Sequence, residues 1–307
     1  MSVDRVESFE KHRPLLFSIA YRMLGSIQDA EDMVQEAFLR WQQAPADAVQ
    51  SPKAYLTAVV TRLCIDRLRS ARAQREQYVG VWLPEPLPTA QVPGVADTAA
   101  LAESLSMAFL VLLESLSPLE RAVFLLREVF EYGYAEIARI VGRNEAHCRQ
   151  MFRRSRQRIA ARRPRFRVSP EQQDRLVRQF VRACATGDME GLLALLAEDI
   201  VLYSDGGGMA GTARKPIYGR ARVARLIAAL LRKAPPTLTL HLARINGQPG
   251  VIAYADGKPL GVLVFDSAED RLQTAYLVVH PEKLRRIPLL RAGPGLTPNA
   301  RPLAPGP

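Results

Sequence analysis

A dense run of arginines near the middle of the chain has the clearest chemistry. Between Arg139 and Arg167 there are eleven arginines and one acidic residue, Glu145. Guanidinium groups bind phosphates and the edges of guanine bases, so this run indicates a nucleic-acid partner. A solvated basic helix without a partner is the alternative, and the imbalance between arginines and acids argues against it.

The residues around these arginines predict two helices joined by a turn. Gly142 can end the first helix in a left-handed conformation, and Asn144 can cap the second. The second helix carries an apolar stripe that consists of Cys148, Met151, Phe152, Ser155 and Ile159. Because an apolar face then meets the core and a basic face points outward, the pattern predicts a helix-turn-helix that binds DNA.

The composition of the whole chain agrees with a polyanionic partner. The 307 residues carry a formal net charge of +11, and 48% of them are hydrophobic, which is enough for packed cores in two or three domains. An anionic membrane surface is the alternative partner, but no apolar run approaches the length of a membrane span and the N-terminus has no signal-like core. We therefore expect a cytoplasmic protein.

The cysteines and histidines give no sign of a metal site. Cys64, Cys148 and Cys184 are odd in number and far apart, which is typical of small buried thiols in a reducing compartment. The four histidines have no ligand spacing. We expect neither a metal nor a cofactor.

Hydrophobic patterns divide the chain into segments. Residues 1–77 and 98–163 predict helices, and a proline-rich linker over 78–97 separates them. Residues 169–290 predict helices followed by strands with hairpin turns, hence an α+β cone with one curled sheet. We expect the Pro- and Gly-rich tail 291–307 to be disordered.

Two helices of the first segment carry chemistry. A helix that starts near Asp29 has a core stripe and an outward face that places a leucine among acids: Asp32, Gln35, Glu36 and Leu39. Such a face suggests a protein contact, although a single stray leucine is the simpler interpretation. A third helix starts at Pro52 and becomes basic toward its end.

At this point four ordered motifs resemble the bacterial extracytoplasmic-function (ECF) sigma factors. The run from Asp29 to Arg40 resembles their core-polymerase signature, and Tyr55 to Arg69 resembles the helix that recognises the −10 element. Leu116 to Arg121 resembles the start of their fourth region, and residues 134–158 resemble its −35-reading helix-turn-helix. The resemblance spans residues 7–163 and implies two all-α sigma domains that bind core RNA polymerase and promoter DNA to initiate transcription.

The resemblance also implies roles for individual residues. The face of Asp32, Gln35, Glu36 and Leu39 would bind polymerase, and Arg62, Arg67 and Arg69 would neutralise the strand from which a −10 base is extruded. Near the −35 element, four side chains are expected at base edges: Glu145, His147, Arg149 and Gln150. Four later arginines are expected on phosphates: Arg153, Arg154, Arg156 and Arg158.

The remainder resembles the ECF subgroup with a C-terminal SnoaL-like domain of the NTF2-like fold. Three motifs carry this resemblance, namely WLPEP (Trp82, Leu83, Pro84, Glu85, Pro86), DGGGK (Asp205, Gly206, Gly207, Gly208, Met209) and NPDKL (His280, Pro281, Glu282, Lys283, Leu284). Met209 replaces the lysine of the second motif, and His280 and Glu282 replace Asn and Asp in the third. We expect the first motif to dock on the other two and to regulate the sigma module.

Other functions remain open for this domain. NTF2-like cones often enclose a pocket, which six polar side chains are candidates to line: Tyr203, Asp205, Tyr218, His241, Tyr254 and Asp256. A SnoaL-like enzyme or a small-ligand sensor tethered to a DNA-binding module is therefore the alternative. An ordinary helix-turn-helix repressor or activator is disfavoured by the separate N-terminal helical domain. We expect a non-enzymatic regulator that is monomeric when free.

Overall fold

Two compact units make up the protein in the computed structural model, which describes residues 3–45, 49–76, 78–89, 99–161, 168–209 and 212–290. One unit comprises residues 1–77 and 89–163, and the other comprises 78–88 and 164–307. Residues 78–88, which the sequence predicts as linker, thus belong with the C-terminal unit. The predicted disordered tail, 291–307, lies outside the described residues.

The first unit is helical throughout its described part, as predicted. Its helices are α1 (Val3–Leu24), α2 (Ile27–Gln43), α3 (Pro52–Glu76), α4 (Ala99–Glu103), α5 (Met107–Leu113), α6 (Pro118–Glu128), α7 (Tyr134–Val141) and α8 (Glu145–Ala160). Local capping fixes several of the starts. The side chain of Ser26 accepts a hydrogen bond from the backbone of Asp29, and Ser117 forms a reciprocal capping box with Glu120.

Two buried arginines tie the N-terminal helices of this unit to the later ones. Arg22 of α1 donates to Ser104 Oγ at 2.9 Å and to the Leu101 carbonyl at 2.8 Å. Arg121 of α6 donates to the Met23 carbonyl at 2.7 Å. Burial lowers the pKa of the Arg22 guanidinium to about 10, so the group stays charged at neutral pH. The two halves of the helical unit are therefore joined by buried polar contacts as well as by apolar packing.

The second unit packs helices against a mixed sheet, which confirms the predicted α+β class. Its elements are α9 (Pro170–Thr186), α10 (Met189–Leu195), β1 (Leu196–Asp205), β2 (Ile217–Tyr218), α11 (Arg220–Lys233), β3 (Thr239–Ile245), β4 (Gln248–Ala255), β5 (Lys258–Ala268), β6 (Arg271–Val278) and α12 (Pro281–Leu284). The strand order is β2-β1-β6-β5-β4-β3. The β1–β6 pair is parallel and the remaining pairs are antiparallel.

The turns and the core of this unit follow from local chemistry. Asn246-Gly247 and Asp256-Gly257 both have positive φ angles at the tips of hairpins, as a tight two-residue turn requires. Phe180 of α9 packs edge-on against Phe265 of β5, with ring centroids 4.7 Å apart. The short strand β2 was not predicted, because two residues carry no periodic signal.

The hydropathy and length of the described helices bear on membrane insertion. None of them combines the length and the hydropathy that crossing a bilayer requires.

Candidate functional site

Helix α8 presents its basic face to solvent. Gly142 adopts the left-handed conformation with φ 65°, and the Asn144 side chain accepts from the His147 amide at 2.8 Å, so the turn and the cap have the predicted form. The inner stripe packs in the unit, with Phe152 stacked at 6.0 Å from Phe124. All the predicted DNA contacts of this helix are exposed: Glu145, His147, Arg149, Gln150, Arg153, Arg154, Arg156 and Arg158.

The exposed side chains of α8 differ in how firmly they are held. Arg149 donates to Glu145 at 2.8 Å, and its guanidinium lies 4.5 Å from the centre of the Tyr134 ring. Arg153 and Arg154 form no ion pair within the described residues. A fixed guanidinium suits a single geometry at a base edge, whereas unrestrained arginines suit the repeating phosphates.

Helix α2 exposes the face that was predicted to bind protein. Asp32, Gln35 and Leu39 are exposed, and 43% of the Leu39 surface is accessible. Glu36 is half-buried and pairs with Arg40 at 2.9 Å. Four residues spaced 32, 35, 36 and 39 along a helix form one stripe, so the structure brings this predicted set together.

The arginines of α3 have partners inside the protein. Arg62 donates through Nε to the Ile140 carbonyl and through Nη2 to the Arg139 carbonyl, both at 2.8 Å. Arg67 donates to Asp29 Oδ1 at 2.8 Å. Arg62 and Arg69 are both exposed, and Arg69 lies 3.4 Å from Asp66, one turn away on the same helix. The predicted −10 helix is thus packed against α7 of the helix-turn-helix.

The C-terminal unit holds a buried carboxylate at the centre of the three SnoaL-subgroup motifs. Asp205 is 0% exposed. It accepts hydrogen bonds from the Leu83 amide at 2.8 Å, from the Gly207 amide at 3.2 Å, from Lys283 Nζ at 2.7 Å and from the Tyr78 hydroxyl. Two of these four donors come from the segment 78–88, so the carboxylate fastens that segment to the domain.

Lys283 completes this arrangement, which we call the clamp: Tyr78, Trp82, Leu83, Asp205 and Lys283. Its ammonium group donates to the Leu83 carbonyl and lies 4.4 Å from the centre of the Trp82 ring. Burial, together with the hydrogen bond to Asp205, raises the pKa of the Tyr78 hydroxyl, which therefore remains a donor at neutral pH. A buried carboxylate and a half-buried ammonium are each satisfied by the other and by the docked segment.

A second anchor holds the far end of the docked segment. The Leu87 amide donates to the Asn246 side chain at 3.0 Å, and the Asn246 amide donates back to the Leu87 carbonyl at 2.8 Å. Pro88 then pairs with Ile245 at the edge of β3. Leu83 and Leu87 are almost wholly buried, so the segment contributes apolar side chains as well as backbone bonds.

Three successive parts of the chain match known protein families. Family models match sigma-70 region 2 at residues 8–74, sigma-70 region 4 at 106–159 and a SnoaL-like domain at 177–259. The ECF RNA polymerase sigma factor SigJ of Mycobacterium tuberculosis is 39% identical over 260 residues, which cover 83% of this chain and 82% of SigJ. The chain belongs to the ECF RNA polymerase sigma factors. It is thus a transcription initiation factor with a fused SnoaL-like domain, as its motifs predicted.

Two further matches support the same family. A probable ECF sigma factor, SigI of Mycobacterium tuberculosis, is 34% identical over 281 residues, covering 90% of this chain and 93% of SigI. The crystal structure of M. tuberculosis SigJ superposes with a TM-score of 0.74 at 32% identity, covering 93% of this chain and 100% of that one.

Within this sigma factor, the motif residues do not all lie at the clamp. Trp82, Leu83, Asp205 and Lys283 meet there, whereas Pro281 and Glu282 are exposed. The other motif residues shape the surroundings, since Pro84, Glu85, Pro86 and Leu284 are buried. Met209, in place of the motif lysine, is 43% exposed, and the cation that pairs with Asp205 comes from Lys283 of the third motif.

The glycines of the second motif permit close packing. Gly207 and Gly208 have φ angles of 61° and 82°, which favour glycine. A Cβ atom on Gly208 would lie 3.1 Å from Val79 of the docked segment, and one on Gly207 would clash with His280 at 2.3 Å. This loop therefore needs glycine both for its conformation and for its approach to neighbours.

The sequence did not indicate the anchoring roles of Tyr78 and Asn246, and it predicted a different lining for the pocket. Tyr78 lies outside the WLPEP motif, and Asn246 was explained fully by its turn. The prediction of a pocket lined by polar residues was wrong for the apolar cavity of this domain, whose lining contains none of the six candidates. Asp205 is enclosed by the clamp, and Tyr203 stacks on Tyr276 at 5.8 Å.

Proposed function

We propose that this sigma factor binds core RNA polymerase through the outward face of α2, contacts the −10 element with α3 and reads the −35 element with α8. The SnoaL-like domain regulates these steps by holding residues 78–88. The proposal assigns no catalysis to this domain and places the protein with RNA polymerase in the cytoplasm.

The observation that carries the regulatory part is the complete burial of Asp205 against the docked segment. Burying a carboxylate costs free energy unless it is paired and hydrogen-bonded. The docked state therefore depends on these particular donors rather than on non-specific apolar contact. Residues 78–88 lie between α3 and α4 in the chain, and an extended segment of that length would span about 38 Å. A docked segment cannot extend, so less free chain is available to separate the two promoter-contacting parts.

The contact between α3 and α7 supports a closed free state. The −10 and −35 elements are roughly 25 base pairs apart, or about 85 Å along the duplex. Arg62 lies 2.8 Å from carbonyls of α7, so the described arrangement cannot place α3 and α8 on both elements at once. We therefore propose that binding to polymerase separates these helices, and that the clamp limits how far they separate.

The absence of catalysis is proposed from the state of Asp205, the buried acidic side chain at the clamp. A general acid or base must reach a substrate atom, either directly or through one water. Asp205 instead has four protein donors, including a lysine ammonium, and no accessible surface. Its role is to hold the chain.

The test is run-off transcription with core RNA polymerase on promoters whose spacer varies in single base-pair steps. The unaltered protein should give a sharp optimum in spacer length. Asp205→Asn should flatten that profile, and Trp82→Ala should flatten it partly, because losing a cation–π contact removes about 0.5–2 kcal/mol of docking free energy. Asp174→Asn is the matched control, since Asp174 pairs with Arg244 in the same domain and away from the clamp.

Polymerase capture provides an independent arm of the same experiment. Replacing Asp32 and Gln35 together by alanine should lower capture about fivefold or more, as expected for residues central to an interface, while the melting temperature stays unchanged. Unaltered capture would remove the α2 face from the proposal. Identical spacer profiles for Asp205→Asn, Asp174→Asn and the unaltered protein would remove the clamp.

A further inference from the structure

The SnoaL-like domain contains an apolar cavity of about 340 Å³ that has no part in the clamp. Helix α9 contributes Phe180 and Cys184 to its wall, and the rest comes from α11, the connection between α11 and β3, strands β1, β3, β4, β5 and β6, and the residue after β6. Leu230 and Leu260 belong to the same lining and are each 43% exposed, so they mark its opening to solvent. Exposed leucines at the mouth of an apolar cavity indicate a binding site for an apolar ligand.

The chemistry of the wall excludes a polar occupant. Apart from the Cys184 thiol, Lys233 is the only lining residue with a polar side chain. Burial raises the pKa of Cys184 to about 12, as expected of a thiol in water-poor surroundings. A substrate with buried hydroxyl or carbonyl groups would find no partners here, and each unpaired group would oppose binding.

The volume sets the size of the occupant. An engineered apolar cavity of about 150 Å³ stays dry and takes up benzene, which has six carbon atoms. By that ratio this cavity has room for roughly a dozen carbons, and it falls within the range of about 300–1,000 Å³ that is usual for small-molecule sites. The exposed Lys233, the last residue of α11, supplies one positive charge at the edge of the cavity.

We propose that this cavity binds the hydrocarbon chain of a medium-chain fatty acid, whose carboxylate remains at the rim beside Lys233. An apolar wall holds the chain, and a single exposed cation selects a monoanionic head group. This binding does not depend on the proposed regulatory function.

The cavity wall reaches the clamp through β1 and through Val279, the residue that follows β6. Val279 lines the cavity, and its amide donates to the Asp205 carbonyl at 2.8 Å. Leu202 also lines the cavity and lies three residues before Asp205 on β1. An occupant therefore contacts β1, which carries Asp205, and Val279, which is bonded to the Asp205 backbone. The fluorescence of Trp82 in a Trp41→Phe background gives a second readout of binding.

Binding is tested by calorimetry on the full-length protein with octanoate, decanoate, dodecanoate and 1-dodecanol, all below their micellar concentrations. Affinity should rise about threefold to fourfold per added methylene until the cavity is full. Ala253→Phe places a ring in the cavity and should weaken dodecanoate at least thirtyfold. The control Ala221→Phe, on an exposed position of α11 outside the lining, should leave binding unchanged.

The head group is tested by charge reversal at the exposed rim, which avoids any effect on folding. Lys233→Glu should weaken dodecanoate about threefold to tenfold and leave 1-dodecanol unchanged, whereas Arg232→Glu, outside the lining, should have a smaller effect. Equal effects of Lys233→Glu on acid and alcohol would overturn the head-group assignment.

Two outcomes would overturn the site itself. One is the absence of binding by every chain length, or binding that Ala253→Phe does not affect. The other is sedimentation showing a dimer that Leu230→Glu dissociates and dodecanoate does not, which would make the opening an interface between copies of this chain. Neither outcome bears on the spacer experiment, because Asp205→Asn leaves the cavity wall intact.

Discussion

Helices α3 and α8 are both rich in arginine and are both proposed to bind promoter DNA, yet their arginines differ in the contacts they make within the protein. The arginines of α8 point to solvent, and Arg153 and Arg154 have no ion pair among the described residues. In α3, Arg62 is bonded to carbonyls of α7 and Arg67 to Asp29. If both helices bind promoter DNA as proposed, α8 can meet a duplex as it stands, whereas α3 must first give up contacts within its own unit.

The largest expected effect comes from removing the free charges of α8. Arg153→Ala with Arg154→Ala should lower the slope of log affinity against log salt concentration by about 1.8, since each lost phosphate contact contributes about 0.9. At 0.1 M salt this corresponds to a roughly sixtyfold weaker affinity for every duplex sequence. Fluorescence anisotropy over a salt series measures both quantities.

The control for this pair removes the same charge elsewhere. Arg175→Ala with Arg178→Ala changes two exposed arginines of α9 in the SnoaL-like domain. If both double variants lose affinity equally, net charge rather than the α8 surface governs DNA binding, and the contrast with α3 loses its basis.

A smaller effect of a different kind is expected at Arg149. Its guanidinium is fixed by Glu145 and by the Tyr134 ring, so a base contact would start from an ordered side chain. Arg149→Ala should cost about 1–3 kcal/mol on the preferred −35 sequence and little on others, so that specificity falls while the salt slope changes by no more than about one. Competition binding across single-base variants of the element measures this. A uniform loss would instead class Arg149 with the phosphate contacts.

The features of α8 could be predicted because they are local. A helical stripe, a glycine end and an asparagine cap all lie within a few residues of one another, and each has one physical reading. The partners of Arg62 lie 77 and 78 residues away, at carbonyl groups that no sequence pattern distinguishes. Sequence therefore indicated that α3 is basic and gave no sign that its charge is already engaged.

The SnoaL-like domain shows the same limit. The hairpins followed from the turn residues between strand-like runs, so the class of the fold was predictable. The cavity was not, because its wall joins apolar residues from seven elements, each of which looks like ordinary core in its own segment. The sequence indicated Asn246 only as a turn residue, but its side chain also accepts a hydrogen bond from the Leu87 amide.

The smallest effect is expected where α3 meets α7, and it tests whether the engaged arginine restrains the protein. Arg62 bridges two carbonyls with two nitrogens, which a lysine cannot do because it presents one ammonium. Arg62→Lys keeps the positive charge for DNA but gives up about one hydrogen bond, worth roughly 0.5–1.5 kcal/mol, so the ratio of open to closed protein should rise about twofold to tenfold. Binding of a single-stranded −10 oligonucleotide to the free protein should improve by a similar factor, and the polymerase-bound protein should show no change because it is already open. Arg69→Lys is the matched control on the same helix, since Arg69 is exposed and its ion-pair partner, Asp66, lies one turn away. Weaker binding by Arg62→Lys in both the free and the polymerase-bound protein would mean that Arg62 contacts DNA through its fork and does not restrain α3, and the two helices would then differ only in accessibility.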